Sequence, residues 1–172
     1  MNAVIESMMT RRSIRKFTDQ KIPKETIELL LTASMNAPSA CNQQVRYYIV
    51  VTNEETLEKL SRFHSGVNFV KHAPLAIIIC GEPAAATLDY YWIDDCAAAT
   101  QNLLLAAHSL GLGATWTGIN QQDASSIDFF RQNLDIASEY VPFAMVPIGY
   151  PAEQRSSKNK YNEEKILWKP SL

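Results

Sequence analysis

The sequence predicts an α+β or mixed α/β domain, with a central sheet of about four or five strands flanked by helices. Three observations carry that expectation. Leu75-Ala-Ile-Ile-Ile-Cys80 is a continuous apolar run, as expected of a strand buried on both faces. Tyr47–Val51 is a run of aromatic and β-branched residues that reads as a second strand. Around them lie segments with helical periodicity, the longest spanning residues 86–110.

Taken in order, residues 2–10 read as a short helix that ends at the basic cluster Arg11-Arg12-Ser13-Ile14-Arg15-Lys16-Phe17. A second helix begins at Pro23, whose fixed φ suits a first turn, and carries Ile27, Leu30, Leu31 and Ser34 toward the core. It stops before the loop Ala37-Pro38-Ser39-Ala40-Cys41-Asn42, marked by proline and small polar residues. The strand Tyr47–Val51 follows, then an amphipathic helix over Glu54–Phe63 with Leu57, Leu60 and Phe63 facing inward.

After the apolar strand comes the long segment whose second half, from Cys96 to Ala107, is apolar nearly all round. Such a helix is buried on every side. In a chain of 172 residues, that points to a second subunit covering one face. Gly111 stands where a left-handed cap ends this helix. Ala114–Ile119 and Phe143–Tyr150 read as further strands, with a helix near Ser125–Leu134 between them. The tail from Ala152 is polar until Ile166-Leu167-Trp168, which needs something to pack on.

No linker, repeat or low-complexity tract divides the chain, so residues 1–172 are expected to form one domain. A hydrophobic fraction of 47% and a charged fraction of 20% are ordinary for a globular protein. A net charge of −2 gives no broad basic face for nucleic acid. Cys41, Cys80 and Cys96 are odd in number and widely spaced, which argues against a disulfide framework and fits a reducing cytoplasm. Glu6 and the lack of an apolar h-region argue against a signal peptide, and the longest apolar run is broken by Thr100, Gln101, Asn102 and His108.

Several chemical motifs can be set aside. Gly111-Leu-Gly113 starts like a dinucleotide fingerprint but follows a helix, and the third glycine position holds Trp116. His64, His72 and His108 have no metal-ligand spacing, so no metal is expected. Asp94-Asp95 is accounted for by a helix N-terminus, and Cys41 by an incidental free thiol. What survives is a set of basic and small polar loops: Arg11–Arg15, Pro38–Gln44, Thr115-Trp116-Thr117-Gly118 and Lys158-Asn159-Lys160. Together they suit a ligand with a phosphate and a polar heterocycle. The cluster around Arg11 alone reads equally as a solvated charge run or as an anion site.

Along nearly its whole length the chain resembles the FMN-dependent nitroreductase family. The matching pieces, in order, are Arg11–Phe17, Ala37–Gln44, Ala73–Ile78, Asp95–Leu103, Gly111–Gly118 and Pro147–Pro151, followed by Lys158-x-Lys160. The resemblance implies a nitroreductase-like fold, with a mixed, mainly antiparallel sheet, in an intertwined homodimer with two FMN sites at the interface. By that resemblance Arg11 and the pair Lys158 and Lys160 hold the phosphate, and Arg12 counts among the cofactor-binding residues without a stated role. Ser13 and Arg15 reach the pyrimidine edge of the flavin, while Lys16 faces solvent.

Pro38, Ser39, Ala40 and Asn42 come from the partner subunit, and the backbone of Thr117 and Gly118 faces the flavin N5 and O4. The chemistry is consistent: a phosphate wants forked or point cations, and a cation at the pyrimidine edge stabilises the reduced ring. The implied activity is hydride transfer from NADH or NADPH through FMN to nitroaromatic, quinone or similar acceptors by a ping-pong scheme, with no catalytic side chain required.

The chain departs from the family pattern in places. Where Asn-x-Gln-Pro-Trp is usual, this chain has Asn42-Gln43-Gln44-Val45-Arg46. Asn68-Phe69-Val70-Lys71 imitates the Asn-x-x-Lys pair of longer members but lies closer to the next strand. The brief stretch between Cys80 and Ala97 leaves little to cover the pocket, which implies an open, permissive site. Two alternatives stay open: a specialised flavin enzyme, such as a reductive dehalogenase or a flavin-fragmenting enzyme, and a non-catalytic flavin-binding module.

Overall fold

A computed structural model describes residues 2–169. The apolar run forms β2 (Leu75–Gly81), buried at every position. It lies between β1 (Arg46–Val51) and β5 (Val141–Gly149), antiparallel to both. Beyond β5 run β3 (Gly113–Ala114) and β4 (Thr117–Gly118), also antiparallel. The result is a five-stranded sheet in the order β1-β2-β5-β3, with β4 on the same side of β5. Its one parallel element is an isolated bridge from Ser13 to Ala114, which adds the basic segment to the edge of β3.

The expected single strand over 114–119 is therefore two short pieces. Thr115 still donates its N–H to Pro147 O at 3.3 Å, so the register against β5 runs on. Pro147 has no N–H to return, and the ladder is interrupted opposite it.

Both faces of the sheet are covered. On one side α2 (Lys24–Met35) and α4 (Trp92–Ser109) pack on Ile77, Ile79, Ala144 and Val146. On the other, α3 (Glu54–Leu60), the 3-10 segment Ser65–His72 and α5 (Ala124–Leu134) enclose Ile78, Met145 and Phe130. α2 starts one residue after Pro23, which serves as its N-cap, and buries Leu30 and Ser34. Ser34 Oγ donates to Ala99 O at 2.9 Å and so ties α2 to α4. α4 ends where Gly111 takes a φ of 75°, as a left-handed C′ glycine does.

In the single chain α4 is not buried on every side. Cys96, Ala99, Thr100, Leu103, Leu104 and Ala107 are buried, but Ile93 and Gln101 are exposed and Ala97, Ala98 and Leu105 are half-buried. α1 (Ala3–Thr10), capped by Asn2, buries none of its residues and exposes Val4, Ile5, Met8 and Met9 on one face. In the tail Ile166 is half-buried, whereas Leu167 and Trp168 are 90% and 76% exposed, so the last two are left largely uncovered by the described residues. No helix among the described residues is long and apolar enough to cross a membrane.

Candidate functional site

The basic segment is threaded between two pieces of chain that meet it from far away in sequence. On one side Ile14 N–H donates to Ala114 O at 3.0 Å, and Thr115 Oγ1 donates to Ile14 O at 2.5 Å. Gly113 permits this approach, because a Cβ there would stand 2.6 Å from Ile14 Cγ2. On the other side Glu153 Oε1 accepts the backbone N–H of Arg15 at 2.7 Å and of Lys16 at 3.3 Å. Those hydrogen bonds, with Arg155 on the other oxygen, hold the Glu153 carboxyl below its ordinary range. The cluster is thus fixed in place between Ala114-Thr115 and Glu153, not left as a solvated run.

The cations themselves are built for an anion. Arg12 Nε donates to Ser156 O at 2.9 Å, across 144 residues of sequence, and Nη1 donates to Arg11 O at 2.6 Å. Its Nη2 is buried and has no hydrogen-bond partner among the described residues. Arg11 is half-buried, and burial together with the neighbouring Arg12 lowers its pKa. Ser156 brings the tail against α1, where Glu6, Met9, Thr10, Ser157, Lys158 and Asn159 line a cleft of about 390 Å3. Lys160 lies exposed just beyond.

Among the described residues the ion pairs are Lys24–Glu28, Lys59–Glu55, Arg62–Glu58 and Arg155–Glu153. None includes Arg11, Arg12, Arg15, Lys158 or Lys160. A group of cations with an orphaned, buried guanidinium N–H is what a phosphate would satisfy. Next to it, His108 Nε2 lies 2.8 Å from Thr10 Oγ1, and its pKa is lowered by burial and then by Arg11 and Arg12. Arg15 is exposed, with its guanidinium carbon 5.9 Å from the centroid of the Phe69 ring.

The loop 37–44 has a different anchor. Asp95 is buried at the first turn of α4, accepting from Ala40 N–H at 2.8 Å and from Gln43 Nε2 at 2.7 Å. Ser39 Oγ accepts from Gln44 N–H at 3.1 Å. Between these ties Cys41, Asn42 and Gln44 take φ values of 48°, 54° and 51°. Such left-handed residues cost of order 1 kcal/mol each and persist only where their surroundings hold them.

Within one chain, then, the predicted residues form two groups. The segment of Arg11, Arg12, Ser13 and Arg15 meets β3 at Ala114, three residues before Thr117, and Arg12 reaches the tail at Ser156, two residues before Lys158. Pro38, Ser39, Ala40 and Asn42 do not join Arg11. Their anchor is Asp95, whereas Thr10 meets α4 at His108, about 20 Å along the same helix at 1.5 Å per residue.

Asp95, Glu153 and His108 were missed as site residues. Asp95 could have been singled out as a carboxylate opening a buried helix, but Glu153 and His108 carry no local signal. A larger cavity of about 550 Å3, bordered by Phe17, Ile22, Leu57, His72 and Leu75, contains none of the predicted site residues. No group of three or more His, Cys, Asp or Glu among the described residues is placed to hold a metal. Cys80 and Cys96 are buried, which pushes each thiol up to about 12, while Cys41 is exposed.

The sequence pattern of the Nitroreductase family matches residues 8–82 and 64–150. A protein of Methanothermobacter thermautotrophicus, named as an NADH dehydrogenase/NAD(P)H nitroreductase, is 41% identical over 95% of this chain and 85% of its own length. A crystal structure from Parabacteroides distasonis bearing the same name superposes with a TM-score of 0.92 at 34% identity, covering 99% of this chain and 100% of that one. A nitroreductase from Desulfovibrio desulfuricans, solved in complex with FMN, superposes with a TM-score of 0.84 at 28% identity, covering 100% and 99%.

Proposed function

The chain belongs to the nitroreductase family, and from that premise we propose that it is an FMN-dependent NAD(P)H oxidoreductase acting as a homodimer. Bound FMN would supply the hydride-transfer chemistry between NADH or NADPH and a nitroaromatic, quinone or similar electron-poor acceptor, in alternating half-reactions. Every other role falls to side chains and backbone that bind, orient and tune.

One observation carries the reading: Arg12, with Nη2 buried and without a hydrogen-bond partner among the described residues, is tied to Ser156 O, and the tail from there brings Lys158 into the cleft against α1 that Glu6, Met9 and Thr10 also line. A dianionic phosphate there replaces a buried unsatisfied donor with charge-assisted hydrogen bonds. Lys160, one turn of tail beyond Lys158, adds a second point charge. From that anchor the segment runs to Ser13 and Arg15, which sit at the pyrimidine edge. Arg15 favours the reduced, negatively charged ring by proximity. Gly118 is exposed and nothing lies within 4 Å of where its Cβ would be, so its backbone is open to a flat ring, with Thr117 buried next to it.

The second copy completes the site. Pro38, Ser39, Ala40 and Asn42 sit too far along α4 to share a ligand with Arg11 of the same chain, so they serve the site of the partner. The uncovered stripe of α4, the apolar face of α1 and the exposed Leu167-Trp168 tip supply apolar surface for such an assembly.

Purified with FMN and mixed anaerobically with NADH or NADPH, the protein bleaches the long-wavelength flavin band, and adding a quinone or nitroaromatic restores it. Flavin that stays oxidised with both nucleotides refutes the reductase reading and leaves a binding module. A reduced flavin that no acceptor of this class reoxidises points to a specialised enzyme. A monomeric mass by light scattering, with flavin bound, refutes the shared site.

A further inference from the structure

We propose that Arg46 is the positioning residue of the strained loop 37–44, and through it sets the affinity of the flavin site. The proposal rests on the reading above that this loop contributes Pro38–Asn42 to that site.

Arg46 opens β1 and is only 8% exposed. Its guanidinium gathers four carbonyls from two separate pieces of chain. Nη2 donates to Met35 O at 3.2 Å and Ala37 O at 3.1 Å, while Nη1 donates to Pro38 O at 3.3 Å and Asp95 O at 3.5 Å. No carboxylate pairs with it among the described residues. A buried cation is expensive to keep, and a hydrophobic side chain would fill the same space at lower cost. The charge is retained here by carbonyls alone, at the C-terminal end of α2, where a cation also meets the negative end of the helix dipole.

Asp95 does the complementary work. Arg46 collects carbonyl oxygens on one side of the loop, and the Asp95 carboxylate collects Ala40 N–H and Gln43 Nε2 on the other. The left-handed Cys41 and Asn42 lie between the two contacts of Asp95, and Gln44 lies between the second of them and Arg46 itself, so the loop crosses its strained stretch held at both ends. The fork geometry matters: two nitrogens of one planar group reach both ends of the 35–38 turn and the first turn of α4. A lysine, with one nitrogen, cannot span them. Arg46 is also a position where the chain departs from the Asn-x-Gln-Pro-Trp pattern, so this clasp is a feature of its own sequence.

The loop carries its own reporter. Cys41 is exposed and Cys80 and Cys96 are fully buried, so the fast phase of labelling by a disulfide reagent reads loop geometry without any flavin. The proposal is tested on Arg46→Lys and Arg46→Ala, prepared without FMN. Thermal midpoint, Cys41 labelling rate and FMN dissociation constant are measured for each. The expected result for Arg46→Lys is a folded protein with a changed Cys41 rate and an FMN dissociation constant weakened about tenfold or more. Millimolar guanidinium ion then restores Arg46→Ala toward wild type, and equal sodium chloride does not.

Wild-type Cys41 rate and FMN affinity in both variants overturn the proposal. So does a changed Cys41 rate with unchanged affinity, which detaches the loop from the flavin. Affinity that falls only as the thermal midpoint falls, without guanidinium rescue, reduces Arg46 to a structural role and overturns it too. Failure of the wild-type protein to bind FMN at all refutes the flavin reading instead, and is seen before any variant is made. If Arg46→Ala does not fold, Arg46→Lys carries the test.

Discussion

Replacing Gly113 with Ala tests how the basic segment is held. The added Cβ would stand 2.6 Å from Ile14 Cγ2, 2.7 Å from Ile14 Cβ and 3.0 Å from Ile14 Cγ1. Carbon atoms pack at about 3.5–4.0 Å, so the segment must retreat by roughly 1 Å. A change of rotamer gives no relief, because Ile14 Cβ itself is too close and moves only with the backbone. That backbone is pinned by Ala114 O and by Thr115 Oγ1. Overpacking of this kind costs about 1–3 kcal/mol, or roughly 2–12 °C in thermal midpoint for a chain of this size.

The displacement also drags Ser13 and Arg15, so FMN affinity falls together with stability. Gly118→Ala is the matched control, since nothing lies within 4 Å of its Cβ. That variant keeps its midpoint within about 1 °C and loses FMN affinity alone, because a methyl now stands between backbone and ring. Scanning calorimetry of the flavin-free proteins and fluorescence titration with FMN separate the two effects. Gly113→Ala with wild-type stability and affinity refutes the close-approach argument. Gly118→Ala that unfolds as early as Gly113→Ala refutes the assignment of the open face to the ligand.

Two further predictions concern protons. His108 titrates low in the flavin-free protein because of burial and the cations Arg11 and Arg12, and a phosphate on those cations raises it again; an NMR titration that finds the same His108 pKa with and without FMN removes the phosphate from this end of α1. The Glu153 carboxyl is held below its ordinary value of 4.5 in the folded state, so its contribution is full above that pH and lost as pH falls through the folded value. The stability gap between wild type and Glu153→Gln is therefore flat near neutrality and closes below about pH 4.5, and a gap that widens on acidification contradicts the contact with Arg15 and Lys16.

What was legible in the sequence was whatever depends on neighbours in sequence. Leu75–Cys80 reads as a strand because burial on both faces erases alternation, and α2 reads from Pro23 because that proline has only one comfortable place. The break between β3 and β4 did not read, because its cause is Pro147, thirty residues away on the partner strand. Burial all round α4 was over-read for a related reason. An apolar circumference says that every face will be covered, and it cannot say by which chain.

The site divides along the same line. The arginines, the Pro38–Asn42 loop and the Thr117-Gly118 turn could be picked out as ligand-binding residue types, yet nothing local distinguishes Arg12, which spans 144 residues to Ser156, from Lys16, which faces solvent. Glu153 and Asp95 looked like ordinary acids. They matter because each carboxylate takes the backbone N–H of a loop 55 to 138 residues away. Arg46 had a sequence signal of its own, a lone charge at the head of an otherwise apolar strand. Such a charge is usually read as an exposed strand end, and burial reverses that reading.

The pattern across these residues is physical. Of the groups that would touch the flavin, Arg15 and Gly118 are exposed, while Arg11 and Arg12 are half-buried. The acids Asp95 and Glu153 hold the loops through main-chain N–H groups, and a main-chain partner leaves no trace in sequence. A site of this kind can change its acceptors by altering exposed residues while its framework stays fixed. The framework is therefore the place to perturb the site without touching the ligand, and Arg46 with Asp95 holds it at two ends of one loop.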